Sequence, residues 1–265
     1  MSIPCHSHNV GMVVVGHGSQ VPAATVAFQE QVALLAAMQG GIIEHGFLEF
    51  ETPQIAEAID HAIARGAETV VVVPAMLTDA HHVKIDIPNI IRFAQDKHPL
   101  IPICYAKHIA LHGKILELCK KRIEQALSEE NLNLNKTLLM VVGRGSSDAS
   151  GNQDVVKLAH LLGESFHFGE TRYSYTSVAK PLFKDVLESC GHQAILVLPY
   201  LLFRGVLVTK LEERVQQFQA AHHDTVVKLA EPLGPDLLVA EALLDRYKEA
   251  VVQPAGVVTL ELEEY

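Results

Sequence analysis

The apolar positions along the chain alternate between two spacings. Strand-like runs stand at residues 12–15, 42–48, 69–73 and 101–105, and the continuous β-branched run 69–73 is as expected for a strand buried on both faces. Between them apolar residues recur at helical spacing, predicting helices over about 23–38, 54–65, 88–97 and 112–128. Residues 129–136, with three asparagines, form the one convincing linker.

After the linker the order begins again. The strand-like run 138–142 ends in Gly143-Arg144-Gly145-Ser146, which repeats Gly16-His17-Gly18-Ser19 at an offset of 127. The run from Gly191 to Pro199 repeats Gly66 to Pro74 at an offset of 125, and Pro181 answers Pro53. Three landmarks in one order at nearly constant spacing indicate an internal duplication. The expected fold is therefore α/β, with two tandem units at 1–132 and 133–265. Each is a small parallel sheet flanked by helices, since strand–helix alternation buries its strands only in that way. Parallel sheets bind ligands beyond the carboxyl ends of their strands, so two facing units would frame a cleft there.

Composition narrows the function classes. The chain of 265 residues, 49% hydrophobic, can bury a substantial core. Its net charge of −10 argues against general nucleic-acid binding. No apolar run approaches the roughly 20 residues that span a bilayer, and residues 1–9 lack the charged start and apolar stretch of a secretory signal. Four scattered cysteines suggest a reducing cytoplasm and no cysteine-built zinc site. Fifteen histidines direct attention to metal chemistry, and what matters is where they cluster.

The two copies differ in their chemistry. His17 stands where the second copy has Arg144, His82 where it has Leu207, and Glu49 where it has Ser177. Each of the three follows a predicted strand at its carboxyl end. Two neutral imidazoles with open positions hold a borderline divalent ion and can hand it on, while a carboxylate completes the coordination or takes protons. Taken singly, His17 is equally well a turn residue, His81-His82 a solvated helix lead-in, and Glu49 a surface carboxylate. Jointly they favour a site. The N–H groups of Gly18 and Ser19 suit an anion at a helix start. Lys84, Arg144, Lys180, Arg204 and Lys210 lie near the same edge, with Arg144 and Arg204 the stronger candidates for a polyanionic ligand. The terminal Cys5-His6-Ser7-His8 and the pair His222-His223 are set aside as terminus and surface.

Three stretches together resemble the class II tetrapyrrole chelatases that insert cobalt or iron into sirohydrochlorin, in their long, fused form. They are Val15-Gly16-His17-Gly18-Ser19, Gly46-Phe47-Leu48-Glu49-Phe50 and His82-Val83-Lys84-Ile85-Asp86-Ile87-Pro88, and the resemblance runs over about residues 10–252. It implies two chelatase-like domains with the active site between them. His17 and His82 would bind the incoming Co2+ or Fe2+, and Glu49 would assist binding or proton removal. The Asp86-Ile87-Pro88 register favours His82 over His81. The substrate implied is sirohydrochlorin, whose eight carboxylates would account for Gly18, Ser19, Lys84, Arg144 and Arg204. No organic cofactor, nucleic acid or membrane is implied, and the fused chain would be a monomer with an internal pseudo-dimer. Cobalt is slightly preferred. A non-catalytic metal or tetrapyrrole carrier is the competing reading. A phosphate-transferring histidine is disfavoured because Gly16, not arginine, precedes His17.

Overall fold

The structure, a computed structural model, describes residues 9–78, 81–128 and 132–252. The Cys5-His6-Ser7-His8 stretch, linker residues 129–131 and the tail 253–265 lie outside the described residues. The first half runs β1 (Val10–Gly16), α1 (Pro22–Gln39), β2 (Ile43–Phe47), α2 (Ile55–Ala64), β3 (Thr69–Pro74), a π-helical turn (His82–Asp86), α3 (Ile87–Lys97), β4 (Ile103–Tyr105) and α4 (Gly113–Ser128). A short 3-10 turn, Leu134–Lys136, leads into β5 (Thr137–Gly143). The second half continues with α5 (Ala149–Phe166), β6 (Glu170–Tyr175), α6 (Phe183–Ser189), β7 (Ala194–Pro199), α7 (Val206–Ala221), β8 (Val226–Leu229) and α8 (Leu237–Val252).

Both sheets have four parallel strands, in the orders β2-β1-β3-β4 and β6-β5-β7-β8. The expected duplication is visible in the register. Val15 pairs with Pro74 in one sheet and Val142 with Pro199 in the other. Phe47 N–H donates to the Pro53 carbonyl at 2.9 Å, and Tyr175 N–H to that of Pro181 at 3.0 Å.

Because side chains alternate across a strand, each central strand feeds two cores. Val13 and Val15 join Ile55, Ile59, Ile87 and Ile91 beneath α2 and α3. Met140 and Val142 join Phe183, Leu187, Leu211 and Phe218 beneath α6 and α7. The opposite faces, Met12 and Val14 in one sheet and Leu139 and Val141 in the other, enter one shared core between the sheets.

That shared core ties the two halves together. Each half lends its last helix to the other: α4 packs against β7, and α8 packs against α1, α4 and β3. Ile115, Leu118, Cys119 and Ile123 of α4 and Val239, Ala240, Leu243 and Tyr247 of α8 are all part of it. The polar contacts follow the same crossing. Tyr247 Oη donates to the Val10 carbonyl, and Lys114 pairs with Glu241 at 2.7 Å. Hydrophobic periodicity identifies the face a helix buries but not the sheet that buries it.

No helix among the described residues is long and apolar enough to cross a membrane.

Arg122 of α4 fastens the crossing. Its side chain is 12% exposed and meets Asp236 at 3.3 Å. It also donates to the carbonyls of Pro232 and Leu233, both at 2.9 Å. Arg122→Met keeps the bulk but strands these acceptors, so a urea unfolding titration is expected to show a loss of about 2–4 kcal/mol.

Candidate active site between the lobes

The carboxyl ends of both sheets open onto one cleft of about 710 Å³. In the first sheet β1 and β3 are neighbours whose chains leave in opposite directions, the point at which open α/β sheets bind ligands. His17 follows β1 and His82 follows β3, so the two imidazoles flank this point.

The turn holding His17 is fixed by glycine. Gly18 has φ +89, and a Cβ there would lie 1.8 Å from the Glu49 carbonyl oxygen. Gly145 repeats this, with φ +87 and 2.0 Å to the Ser177 carbonyl oxygen. No side chain fits at either position. The neighbouring loops are then laced together. Leu48 and Glu49 N–H donate to the carbonyls of Gly16 and His17, both at 3.0 Å. Thr176 and Ser177 do the same to Gly143 and Arg144 at 2.9 and 3.2 Å.

His17 and His82 come together edge to face, with ring centroids 4.9 Å apart and planes at 88°. His17 Nε2 is buried and has no hydrogen-bond partner. Its Nδ1 faces the Gly18 carbonyl at 3.4 Å. An orphaned buried imidazole nitrogen is costly unless something arrives to use its lone pair. Burial pushes the His17 imidazole below its ordinary 6.5, and the Arg144 guanidinium pushes the same way, against Glu49. The imidazole is thus held neutral, as a metal ligand must be.

His82 opens the π-helical turn, and its Nδ1 sits 2.7 Å from Asp86 Oδ2. A carboxylate only accepts, so Nδ1–H is the donor and Nε2 keeps its lone pair for the cleft. Tyr105 Oη holds the turn from beneath by donating to the Val83 carbonyl at 3.0 Å. Asp86 was not singled out in the sequence for a role of its own. The signal was the four-residue spacing His82-x-x-x-Asp86, which places both on one side of a helical turn.

The remaining candidates are distributed unequally. Gly18, Ser19 and Arg144 line the cleft, as do His17, His81 and His82. The Arg144 guanidinium is exposed and has no ion-pair partner among the described residues. Glu49 is exposed and outside the lining, although its charge reaches His17. Among the described residues, no three His, Cys, Asp or Glu side chains gather to hold an ion, so the expected set of His17, His82 and Glu49 is not a closed cluster here. The side chain that this turn gives to the cleft is Phe50.

Lys84 and Arg204 do not line the cleft. Lys84 crosses to the second lobe, bonding Asp148 at 3.1 Å and the Ser150 hydroxyl. Arg204 is tied to Glu212 and to both oxygens of Glu231. Their positive charge attracted notice in the sequence, but carboxylates of the protein already engage it. Lys180 and Lys210 are exposed and also lie away from the lining.

A doubled parallel α/β scaffold with one inter-lobe cleft, and an open imidazole pair on a single wall, defines a two-lobed class in which the two copies of a common plan have diverged. The chain belongs to the CbiX family, whose pattern matches it twice, at residues 11–126 and 138–250. Over 252 residues it is 35% identical to the sirohydrochlorin cobaltochelatase of Priestia megaterium, covering 91% of this chain and 79% of that protein. It is 30% identical over 252 residues to the sirohydrochlorin ferrochelatase of Bacillus subtilis strain 168, covering 92% of this chain and 93% of that one. The solved structure of SirB from Bacillus subtilis with Fe3+ superposes with a TM-score of 0.81 at 28% identity, covering 92% of this chain and 96% of that one. SirB in complex with cobalt gives a TM-score of 0.78 at 28% identity, covering 92% and 95%.

The charges around His17 make its titration a test of the cleft's geometry. In the metal-free protein an NMR titration is expected to place its midpoint below 6.5. Arg144→Gln removes a cation from the opposite lobe and should raise that midpoint, whereas Glu49→Gln should lower it further.

Proposed function

We propose that this protein is a sirohydrochlorin chelatase, inserting a divalent metal into the macrocycle within the inter-lobe cleft. The observation that carries the reading is the pair of converging imidazoles, His17 and His82, with the His17 Nε2 unpartnered and, among the described residues, no third ligand closing the set. A four-ligand cage would retain its ion, whereas two nitrogens with open positions can give it up.

The ion is a substrate here. It exchanges some of its waters for the Nε2 atoms of His17 and His82. The macrocycle enters above it, and its four ring nitrogens displace the protein ligands while two pyrrole N–H protons are lost. Charge balances, since one divalent ion replaces two protons. Glu49, exposed at the rim beside the His17 turn, is assigned the role of accepting a proton and passing it to water. The peripheral carboxylates of the macrocycle are assigned to Arg144 and to the N–H groups of Gly18 and Ser19, which line the cleft. Lys84 is assigned to bracing the lobes instead of touching substrate.

Co2+ is proposed ahead of Fe2+; the cobaltochelatase and ferrochelatase relatives lie at similar identity, 35% and 30%. Both ions suit imidazole nitrogen. One chain supplies both walls of the cleft, which supports a working monomer. A cytoplasmic location is proposed from the cysteines' scattered positions, which lack a paired spacing.

Metal insertion is followed by the absorbance change of sirohydrochlorin, comparing Co2+, Fe2+ and Ni2+. Many turnovers per chain are expected, fastest with Co2+; a single equivalent would identify a carrier instead. His17→Ala and His82→Ala are each expected to cut kcat/KM at least about a thousandfold while the melting temperature holds, since each removes a ligand to the ion. Arg144→Ala should raise KM about tenfold with a smaller change in kcat, the pattern of a lost contact to bound substrate.

A further inference from the structure

Two residues of the cleft break an otherwise general rule of the fold. Among the described residues only four non-glycine positions have a positive φ, and two of them are Phe50 at 65° and Val178 at 63°. In both, the next residue's N–H closes back on the preceding carbonyl. Glu51 N–H donates to Glu49 at 2.8 Å, and Ala179 N–H to Ser177 at 2.7 Å. An i→i+2 bond across a positive φ is a γ-turn of the rare, strained kind, and for β-branched valine the backbone is a genuine outlier. Strain of this sort persists only where the surroundings impose it, and it collects at ligand-holding sites.

The surroundings here are the two copies of one lacing. Phe50 follows Glu49 and Val178 follows Ser177, the loops that Gly18 and Gly145 press against. Phe50 belongs to the wall that carries His17, and Val178 to the wall that carries Arg144. Each stands at the apex of its turn, 59% and 71% exposed, and both line the cleft. Duplication retained a strained apolar apex at these matching positions, although the metal-facing residues of the two copies diverged. Phe50 also lies 6.4 Å from the His17 ring at an interplanar angle of 21°.

We propose that Phe50 and Val178 are a pair of substrate-gripping residues, one from each lobe, that take the flat apolar body of the tetrapyrrole between them. The inference rests on the chelatase reading and extends it. Peripheral carboxylates require polar contacts at the rim, but the macrocycle's face is apolar and needs apolar partners out of water. The γ-turns present such partners in advance, so that little ordering remains when the substrate binds.

The test is a titration of metal-free sirohydrochlorin, followed by absorbance, with the melting temperature recorded for each variant. Phe50→Gly and Val178→Gly remove the apolar apex and accept a positive φ without strain. Each is expected to raise Kd about tenfold with the melting temperature held or raised. Phe50→Asn tolerates the same φ, and Val178→Thr keeps the valine shape; both replace apolar surface with polar and should weaken binding about threefold. If the glycine variants lose stability, this second pair decides: weaker binding at an unchanged melting temperature supports the grip, and unchanged binding overturns it. Unchanged Kd in the glycine variants overturns it outright. A wild-type protein that neither binds sirohydrochlorin nor inserts metal would instead overturn the chelatase reading, so the two failures are distinct.

Discussion

The site depends on one close approach of backbone to backbone. The Gly18 turn lies so near the Glu49 carbonyl that a single methyl group could not be placed between them. This contact locks the end of β1 to the end of β2, and with it the angle at which His17 leaves its strand. The π-helical turn then needs only to bring His82 across from the end of β3 for two imidazoles to meet. His17 directly follows a buried parallel strand, and His82 sits on a turn held by Asp86 and Tyr105. Precision of this kind comes from rigid elements and their hydrogen-bonded supports.

The duplicated lacing shows what the scaffold requires and what the chemistry requires. Gly145 and Ser177 repeat the close approach almost atom for atom. Yet the histidine is replaced by Arg144, and no imidazole follows β7. Symmetry is kept in the backbone and given up in the side chains, where one wall carries two imidazoles and the other a guanidinium. The result is an asymmetric site on a nearly symmetric frame.

Much of this was legible in the sequence because it depends on local pattern. Parallel strands show as continuous apolar runs, the glycine turns recur at a fixed offset, and His17 and His82 announce themselves by lacking counterparts. The expected helix near 88–97 is α3, Ile87–Lys97. The π-helical turn before it was missed, since nothing in side-chain spacing distinguishes it from an ordinary lead-in. The fates of Lys84 and Arg204 were missed for another reason: a charge in a sequence does not reveal its partner, and both found carboxylates within the protein. Glu49 was placed at the right strand end, but which way its turn would direct the side chain was decided by a γ-turn that periodicity cannot express. The crossing of α4 and α8 is a long-range choice, invisible to any window of residues.

That crossing has a mechanical meaning. Two lobes joined by a flexible strap can swing apart about it, and such a mouth admits ligands of many sizes. Here α4 and α8 each press their apolar face into the interior of the lobe they were not encoded with. Prising the walls open would tear apolar surface out of a common interior. Packing across the lobes thus ties the two walls of the cleft to a single interior.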